Sequence, residues 1–286
     1  MQLAKLFEKD RAVFSYEIFP PKKKDSIDGI FDTLEQLSDL RPDFISVTYG
    51  AGGNPADSKT ADLAYTIKDK YKTESAAHLT CVNTSREDLD IILEDFKSKG
   101  IENILALRGD INPNIPPKED FKYASDLVTY IKGKGGFYLS GACYPEVHAE
   151  ADDAISDIKN LKTKVDSGVS HLISQLFFDN EVFYAFLDRA RSAGIDVPIE
   201  AGIMPVTNTK QIQRMVTMCG ASLPNKFVKV MQRYESKPEA LMDAGIAYAV
   251  NQIVDLLAHG VDGIHLYTMN NPYIARKITE SIGNIL

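Results

Sequence analysis

Residues 76–108, AAHLTCVNTSREDLDIILEDFKSKGIENILALR, contain one complete unit of the pattern that decides the fold. AAHLTCV (76–82) and NILALR (103–108) are short apolar runs of strand length. Between them Ser85, with Asp88 three residues on, makes a capping box for a helix over REDLDIILEDFKSKG, and Gly100 is placed to close it. A strand, a capped helix and a second strand in about 30 residues form a βαβ unit. Its two strands run parallel, so both belong inside a sheet covered by helices.

The same alternation continues on both sides. VFSYEIF (13–19) and FISVT (44–48) precede the unit, while FYLSGACY (137–144), HLISQLFF (171–178), VPIEAGIM (197–204) and GIHLYT (263–268) follow it. Ser26 is placed to open a helix over IDGIFDTLEQL. Only the seventh gap is long: QIQRMVTMC (211–219) and PEALMDAGIAYAVNQIVDLLAHG (238–260) both read as helices there, so one helix is inserted. Eight strand–helix units with no linker or low-complexity segment predict a single (β/α)₈ TIM barrel domain over residues 1–286, with an extra helix between strands 7 and 8. A doubly wound sheet is the competing α/β arrangement. YGAGGNPAD (49–57) offers it only Gly-x-Gly-Gly, because Pro55 and Asp57 stand where a dinucleotide fingerprint would continue.

Composition narrows the function. Forty acidic against thirty-two basic side chains give a formal charge of −8, which repels nucleic-acid backbones and anionic membranes. Cys81, Cys143 and Cys219 are odd in number and lack CxxC spacing, which speaks against a disulfide framework and a zinc site. The N-terminal stretch MQLAKLFEKDRAVFSYEIF is broken by charge throughout, unlike a signal peptide, and no run approaches 18 apolar residues. A cytoplasmic, non-membrane protein is expected, in homo-oligomeric form and with small-molecule substrates.

In a barrel the C-terminal strand ends carry the chemistry. Here they bear Glu17, Thr48 with Tyr49, His78 with Thr80, Arg108 with Asp110, Tyr144 with His148, Gln175, and Tyr267 with Asn270. Glu17 lies inside an apolar strand pattern. Turned inward, its carboxyl would favour the protonated form and serve as a general acid; turned outward, it is a solvated strand residue. Asp110 ends LALRGD, either as a charge at the barrel mouth or as a turn aspartate holding its own loop. His78 and His148 have no HxH or HExxH partner, so hydrogen bonding suits them better than a metal. Lys229 in NKFVKVM is a candidate Schiff-base lysine of a cofactor-free lyase or aldolase, or an ordinary helix residue. Phe177, Phe178 and Phe183 read as barrel packing.

FSYEIFPPK, SVTYGAGG, HLTC, LALRGD, YASDLV, YPEVH, DIKNLKTKVDSG, QLFFD, GIMPV and HLYTMN together resemble the methylenetetrahydrofolate reductases, in order and in register with the eight strands from near residue 13 to near residue 276. The length resembles the short bacterial-type enzyme. The resemblance implies a flavoprotein in which FAD takes a hydride from NADH or NADPH and passes it to 5,10-methylenetetrahydrofolate, giving 5-methyltetrahydrofolate. Carried over by motif, the general acid falls on Glu17 and the flavin-proximal aspartate on Asp110. FAD contacts fall on Thr48, Tyr49, Ala51, His78, Arg108, Gly109, Asp110, Tyr123, Ala124, Tyr144, His148, Ala151, Asp157, Asn160 and Lys164, and folate contacts on Asp110, Gln175 and Gln211. Three positions depart from the family pattern: Thr163 and Asn271 stand where arginines often do, and Met215 where a phenylalanine does. A non-catalytic pterin-binding subunit is the remaining alternative.

Overall fold

The computed structural model describes residues 2–21, 27–49, 59–111, 118–208, 210–211 and 220–286. The strands are β1 (Val13–Ile18), β2 (Phe44–Val47), β3 (Glu74–Thr80), β4 (Asn103–Leu107), β5 (Tyr138–Cys143), β6 (His171–Ser174), β7 (Ile199–Ile203) and β8 (Gly263–Tyr267). Each pairs in parallel with the next, and β8 returns to β1, closing the barrel. The expected α/β barrel is the fold. Every residue of β2 and β7 is buried, the signature of strands covered on both faces.

The helices are α1 (Ile27–Ser38), α2 (Lys59–Asp69), α3 (Arg86–Ser98), α4 (Ala124–Lys134), α5 (Ala154–Asp166), α6 (Asn180–Ser192), α7 (Asn225–Tyr234), α8 (Pro238–Ala258) and α9 (Pro272–Ile282). Ser85 and Asp88 cap α3 reciprocally, and Gly100 follows it at φ +64°, as its sequence predicts. The Ser26 cap and residues 212–219 of QIQRMVTMC lie outside the described residues. Between β7 and β8 the chain adds α7 and α8 where other gaps hold one helix, which is the expected insertion. Phe227 and Met231 of α7 are buried with Leu176, Phe178 and Val206, which follow β6 and β7, so α7 packs near the mouth.

By length and mean hydropathy α8 could match a membrane span, although Glu239, Asp243 and Asp255 interrupt its apolar run. Its Leu241, Gly245, Ile246, Ala249, Ile253 and Leu256 are nevertheless buried at helical spacing, which makes it a core helix of the barrel. A Cβ at Gly245 would come within 1.8 Å of the Val206 carbonyl oxygen, so only glycine lets α8 approach the strand-7 loop this closely.

The barrel floor carries a feature that strand periodicity did not announce. A 3₁₀ turn, Leu3–Leu6, buries Leu3 and Leu6 against Val13, Phe44, Ala76, Leu105, Tyr138 and Ile173. The Leu3 amide donates to Asn103 Oδ1 at 2.9 Å, and Phe7 lies 4.6 Å from the His171 ring. This plug closes the end opposite the candidate site.

Candidate active site

Alternation along β1 separates its residues. Phe14, Tyr16 and Ile18 join the core beneath the helices, while Ser15 and Glu17 turn into the barrel. Glu17 Oε2 lies 3.6 Å from His78 Nε2 on β3 and 3.7 Å from His265 Nε2 on β8, with 20% of the side chain exposed. The solvated outward reading of Glu17 therefore fails. The loop after β8 fixes this strand end: Thr268 Oγ1 donates to the Glu17 carbonyl at 2.6 Å. Asn270 donates through Nδ2 to the Phe19 carbonyl at 2.8 Å and accepts the Phe19 amide at 3.0 Å. Met269 and Asn270 hold φ of +52° and +54° to make these contacts, a local strain that the clasp sustains.

Below Glu17 a polar column descends the barrel. Ser15 Oγ donates to Glu200 Oε1 at 2.8 Å and lies 2.6 Å from His265 Nδ1. Glu200 Oε2 is 3.0 Å from His171 Nε2, whose Nδ1 is 2.9 Å from Ser140 Oγ. Glu200, His171 and His265 have no exposed surface. Burial, opposed by His265 and Ser15, pushes the Glu200 carboxyl up to about 8; burial pushes His171 down to about 3 and His78 down to about 4. Glu200, His171 and His265 were not singled out in the sequence. VPIEAGIM, HLISQLFF and GIHLYT nevertheless carry the signal that identified Glu17, a polar residue inside an apolar strand.

The other wall is built at β4 and β5. Two cavities of about 410 Å³ and about 340 Å³ adjoin, sharing Arg108, Tyr144 and His148. The smaller is also lined by Thr48, Tyr49, His78, Gly109 and Asp110. Gly109 sits at φ +87°, where a Cβ would meet Thr80 Cβ at 3.0 Å, so this turn requires glycine. The larger cavity takes in Tyr123, Ala124, Ala151, Asp157, Asn160, Thr163 and Lys164. Asp157, Asn160 and Lys164 recur at i, i+3 and i+7 and so share one face of α5.

Internal contacts hold these groups in place. Asp157 Oδ2 accepts the His148 amide at 3.1 Å, and Lys164 Nζ donates to the Ala142 carbonyl at 2.7 Å, its pKa lowered by burial. Arg108 makes two bonds to Glu150, at 2.5 and 2.7 Å, and the guanidinium holds that carboxylate below its usual range. The Tyr144 ring meets His148 edge-on at 4.5 Å, and burial pushes its phenol up to about 12. Between them Val147 adopts φ +82°, a costly conformation for a β-branched residue, at the junction of the two cavities.

Other candidates fall elsewhere. Gln175 and Gln211 line neither cavity; their Oε1 atoms accept the Leu176 amide at 2.9 Å and the Thr207 amide at 3.0 Å. Asn271 caps α9 by accepting the Ile274 amide at 3.3 Å. Ala51 and Met215 lie outside the described residues. Lys229 is exposed on α7, so it lacks the apolar pocket that the aldolase alternative needs. Phe177 stacks on Phe183 at 4.9 Å and Phe178 on Phe227 at 4.4 Å, all buried, which makes the cluster packing.

Comparison with known proteins places this geometry. The family model described as methylenetetrahydrofolate reductase matches residues 2–283. The chain is 40% identical to the 5,10-methylenetetrahydrofolate reductase of Pectobacterium carotovorum subsp. carotovorum, over 94% of this chain and 89% of that one. It is 39% identical to the Escherichia coli (strain K12) protein of the same name, over 94% and 90%. Identity to methylenetetrahydrofolate reductase (NADH) 1 of Arabidopsis thaliana is 36%, over 97% of this chain and 49% of the plant protein. Among solved structures, an uncharacterized Clostridium thermocellum protein that binds two copies of 5-methyl-5,6,7,8-tetrahydrofolic acid superposes with a TM-score of 0.67 at 15% identity, covering 100% and 99% of the two chains. A Coxiella burnetii dihydropteroate synthase gives 0.52 at 12%, covering 97% and 94%. These two share the barrel fold.

Proposed function

Because the chain belongs to the methylenetetrahydrofolate reductase family, we propose that it reduces 5,10-methylenetetrahydrofolate to 5-methyltetrahydrofolate with FAD as cofactor and NADH or NADPH as donor, using Glu17 as proton donor and Asp110 as charge stabiliser. One observation carries the assignment of roles. Glu17, with 20% of its side chain exposed, lies 3.6 Å from His78, a wall of the cavity that the solvent-exposed Asp110 also lines. Two carboxyl groups in such unlike surroundings suit an acid and a persistent anion sharing one site.

The residues present fit FAD. Both cavities are of ligand-binding size, and together they form one elongated site. Arg108 and Lys164 supply positive charge for a diphosphate, with Asp157 and Asn160 beside them. His78 Nε2 is buried without a hydrogen-bond partner on the wall of the smaller cavity, a polar atom left for a ligand. Bound there, FAD would accept a hydride from the nicotinamide and deliver it to the methylene carbon of the folate.

The chain's own work is proton and charge management. Opening the five-membered ring of the substrate breaks a carbon–nitrogen bond, and the nitrogen takes the proton of the Glu17 carboxyl. The carbon left behind is an iminium cation, which an ionised Asp110 facing it would stabilise. His78 and His265 flank the Glu17 carboxyl at 3.6 and 3.7 Å, and the Asn270 clasp keeps its strand end from shifting. Gln175 and Gln211, after β6 and β7, complete the proposed folate site.

The test separates the two half-reactions by stopped-flow absorbance. Glu17→Gln is expected to keep its FAD and to be reduced by NADH within a few-fold of the wild-type rate. Reoxidation by methylenetetrahydrofolate is expected to fall by about 10² to 10⁴. A colourless protein that FAD cannot reconstitute overturns the cofactor assignment, and equal reoxidation rates overturn the role of Glu17.

A further inference from the structure

We propose that Glu150 competes with the cofactor for Arg108: its carboxylate holds the guanidinium fork that the FAD diphosphate would take, so Glu150 must swing aside for FAD to bind and thereby sets how fast and how tightly it does, a role that rests on reading the two cavities as the FAD site. The limit is the number of N–H groups on one guanidinium, which is five. Arg108 Nε donates to the Gly109 carbonyl at 3.3 Å, and the two terminal nitrogens donate to Glu150 Oε2 at 2.5 Å and Oε1 at 2.7 Å. The carboxylate is held end-on by two parallel bonds, the geometry that also binds phosphate. The two remaining N–H groups lie on opposite edges of the guanidinium, and the one beside Nε has lost its neighbour to Gly109. With Glu150 in place, Arg108 has no second fork for a diphosphate.

Position makes the contest direct. Glu150 and Arg108 both line the larger cavity, and Arg108 also lines the smaller, so the ion pair stands where one elongated ligand passes between them. Among the described residues lining the larger cavity, the other Lys or Arg is Lys164, and its ammonium is committed to the Ala142 carbonyl at 2.7 Å. Arg108 is therefore the cation that a diphosphate has to win. Asp157, the second acid of that wall, is held on α5 by the His148 amide at 3.1 Å and makes no such claim on Arg108.

Of the two partners the acid is the one free to leave: 57% of the Glu150 side chain is exposed, against 22% of Arg108. Its backbone need not move. The Glu150 amide donates to His148 Nδ1 at 3.1 Å and the Ala151 amide to the His148 carbonyl at 2.9 Å, so the turn stays fixed while the carboxylate rotates away. Exposed side chains change rotamer within nanoseconds, far faster than a ligand at micromolar concentration arrives. FAD then binds the fraction of molecules whose fork is open, and its association rate scales with that fraction. An exposed ion pair favours the closed form by up to about fivefold.

The experiment measures FAD binding to the full chain stripped of flavin, by quenching of flavin fluorescence at equilibrium and by stopped flow. Glu150→Gln keeps the size of the side chain and removes its charge. Its FAD dissociation constant is expected to fall by about fivefold, with the gain in the association rate and with dissociation within about twofold of wild type. Glu150→Ala should do the same. Asp152→Asn removes a charge two residues away and leaves the ion pair intact, so its dissociation constant should stay within about twofold of wild type. In an Arg108→Gln background, where FAD binds more weakly, Glu150→Gln should bring no gain, because the competition acts only through the guanidinium. Equal tightening in both backgrounds would mean that Glu150 merely repels the diphosphate, and overturns the proposal. An unchanged constant in Glu150→Gln overturns it too, as does weaker binding with faster dissociation, which would make Glu150 a support for Arg108. A wild type that binds no FAD sinks the cofactor reading itself, whereas a wild type that binds FAD beside an unchanged Glu150→Gln sinks the role of Glu150 alone.

Discussion

Replacing Glu200 by glutamine should change how stability depends on pH more than it changes stability at any one acidic pH. Burial moves the native Glu200 carboxyl from its ordinary 4.5 up to about 8, so between those values the folded state holds a proton that the unfolded state has released. Stability is then fully present below 4.5 and is lost as pH rises toward 8, by about 1.4 kcal/mol per pH unit. Across the whole window this amounts to roughly 5 kcal/mol. His171 works in the opposite sense: its pKa is lowered to about 3, so stability falls as pH drops below 6.5. Both proteins keep that histidine buried, and its effect cancels in their difference. Glutamine resembles the protonated acid in shape and never ionises. Urea unfolding followed by circular dichroism at pH 5, 6, 7, 8 and 9 should therefore show near-equal stabilities at pH 5 and a variant more stable by several kcal/mol at pH 9. Parallel curves would show that Glu200 is ionised or solvated in the folded state.

Asp110→Asn should keep FAD but slow flavin reoxidation by methylenetetrahydrofolate by about 10², because it removes charge while retaining shape; a wild-type rate would give the charge another task. Thr163→Arg adds a cation on the wall of the larger cavity and should tighten FAD binding by about tenfold or more, the worth of a formed charge-assisted contact. Equal FAD dissociation constants in the two proteins would count against the placement of the diphosphate. Asn270→Ala removes both bonds to the Phe19 backbone and should lower folate reduction by about tenfold while sparing reduction by NADH; equal effects on the two would mean the clasp supports the whole mouth rather than Glu17.

The barrel was legible because its evidence is local. Ser85, Asp88 and Gly100 bracket α3 within the chain's own sequence, and each strand is a short apolar run. Glu17 stood out as a charge in such a run, yet Glu200 and His265 did not, although their settings are alike. Strands of a closed parallel barrel are buried on both faces, so alternation does not say which side a polar residue takes. The Leu3–Leu6 plug escaped for a different reason: four residues give no period to measure, and its partners lie on six strands. Lys229 left two readings open because an amphipathic helix and an apolar catalytic pocket place similar neighbours beside a lysine, and its exposure on α7 selects the ordinary helix residue. Gln175 was marked by its strand end as well as by motif and Gln211 by motif alone, and the structure sets both outside the two cavities.

That N-terminal plug makes the barrel a tube with one open end. Deuterium from solvent can reach the exchangeable hydrogens of Ser140, His171 and Glu200 by way of the mouth, past Glu17, whereas the floor is shut by Leu3, Leu6 and their apolar partners. The isotopic history of the barrel interior is thus written at the active site. A substrate seated over Glu17 would lengthen the exchange times of groups far beneath it, and loss of the first few residues would give those hydrogens a second way out.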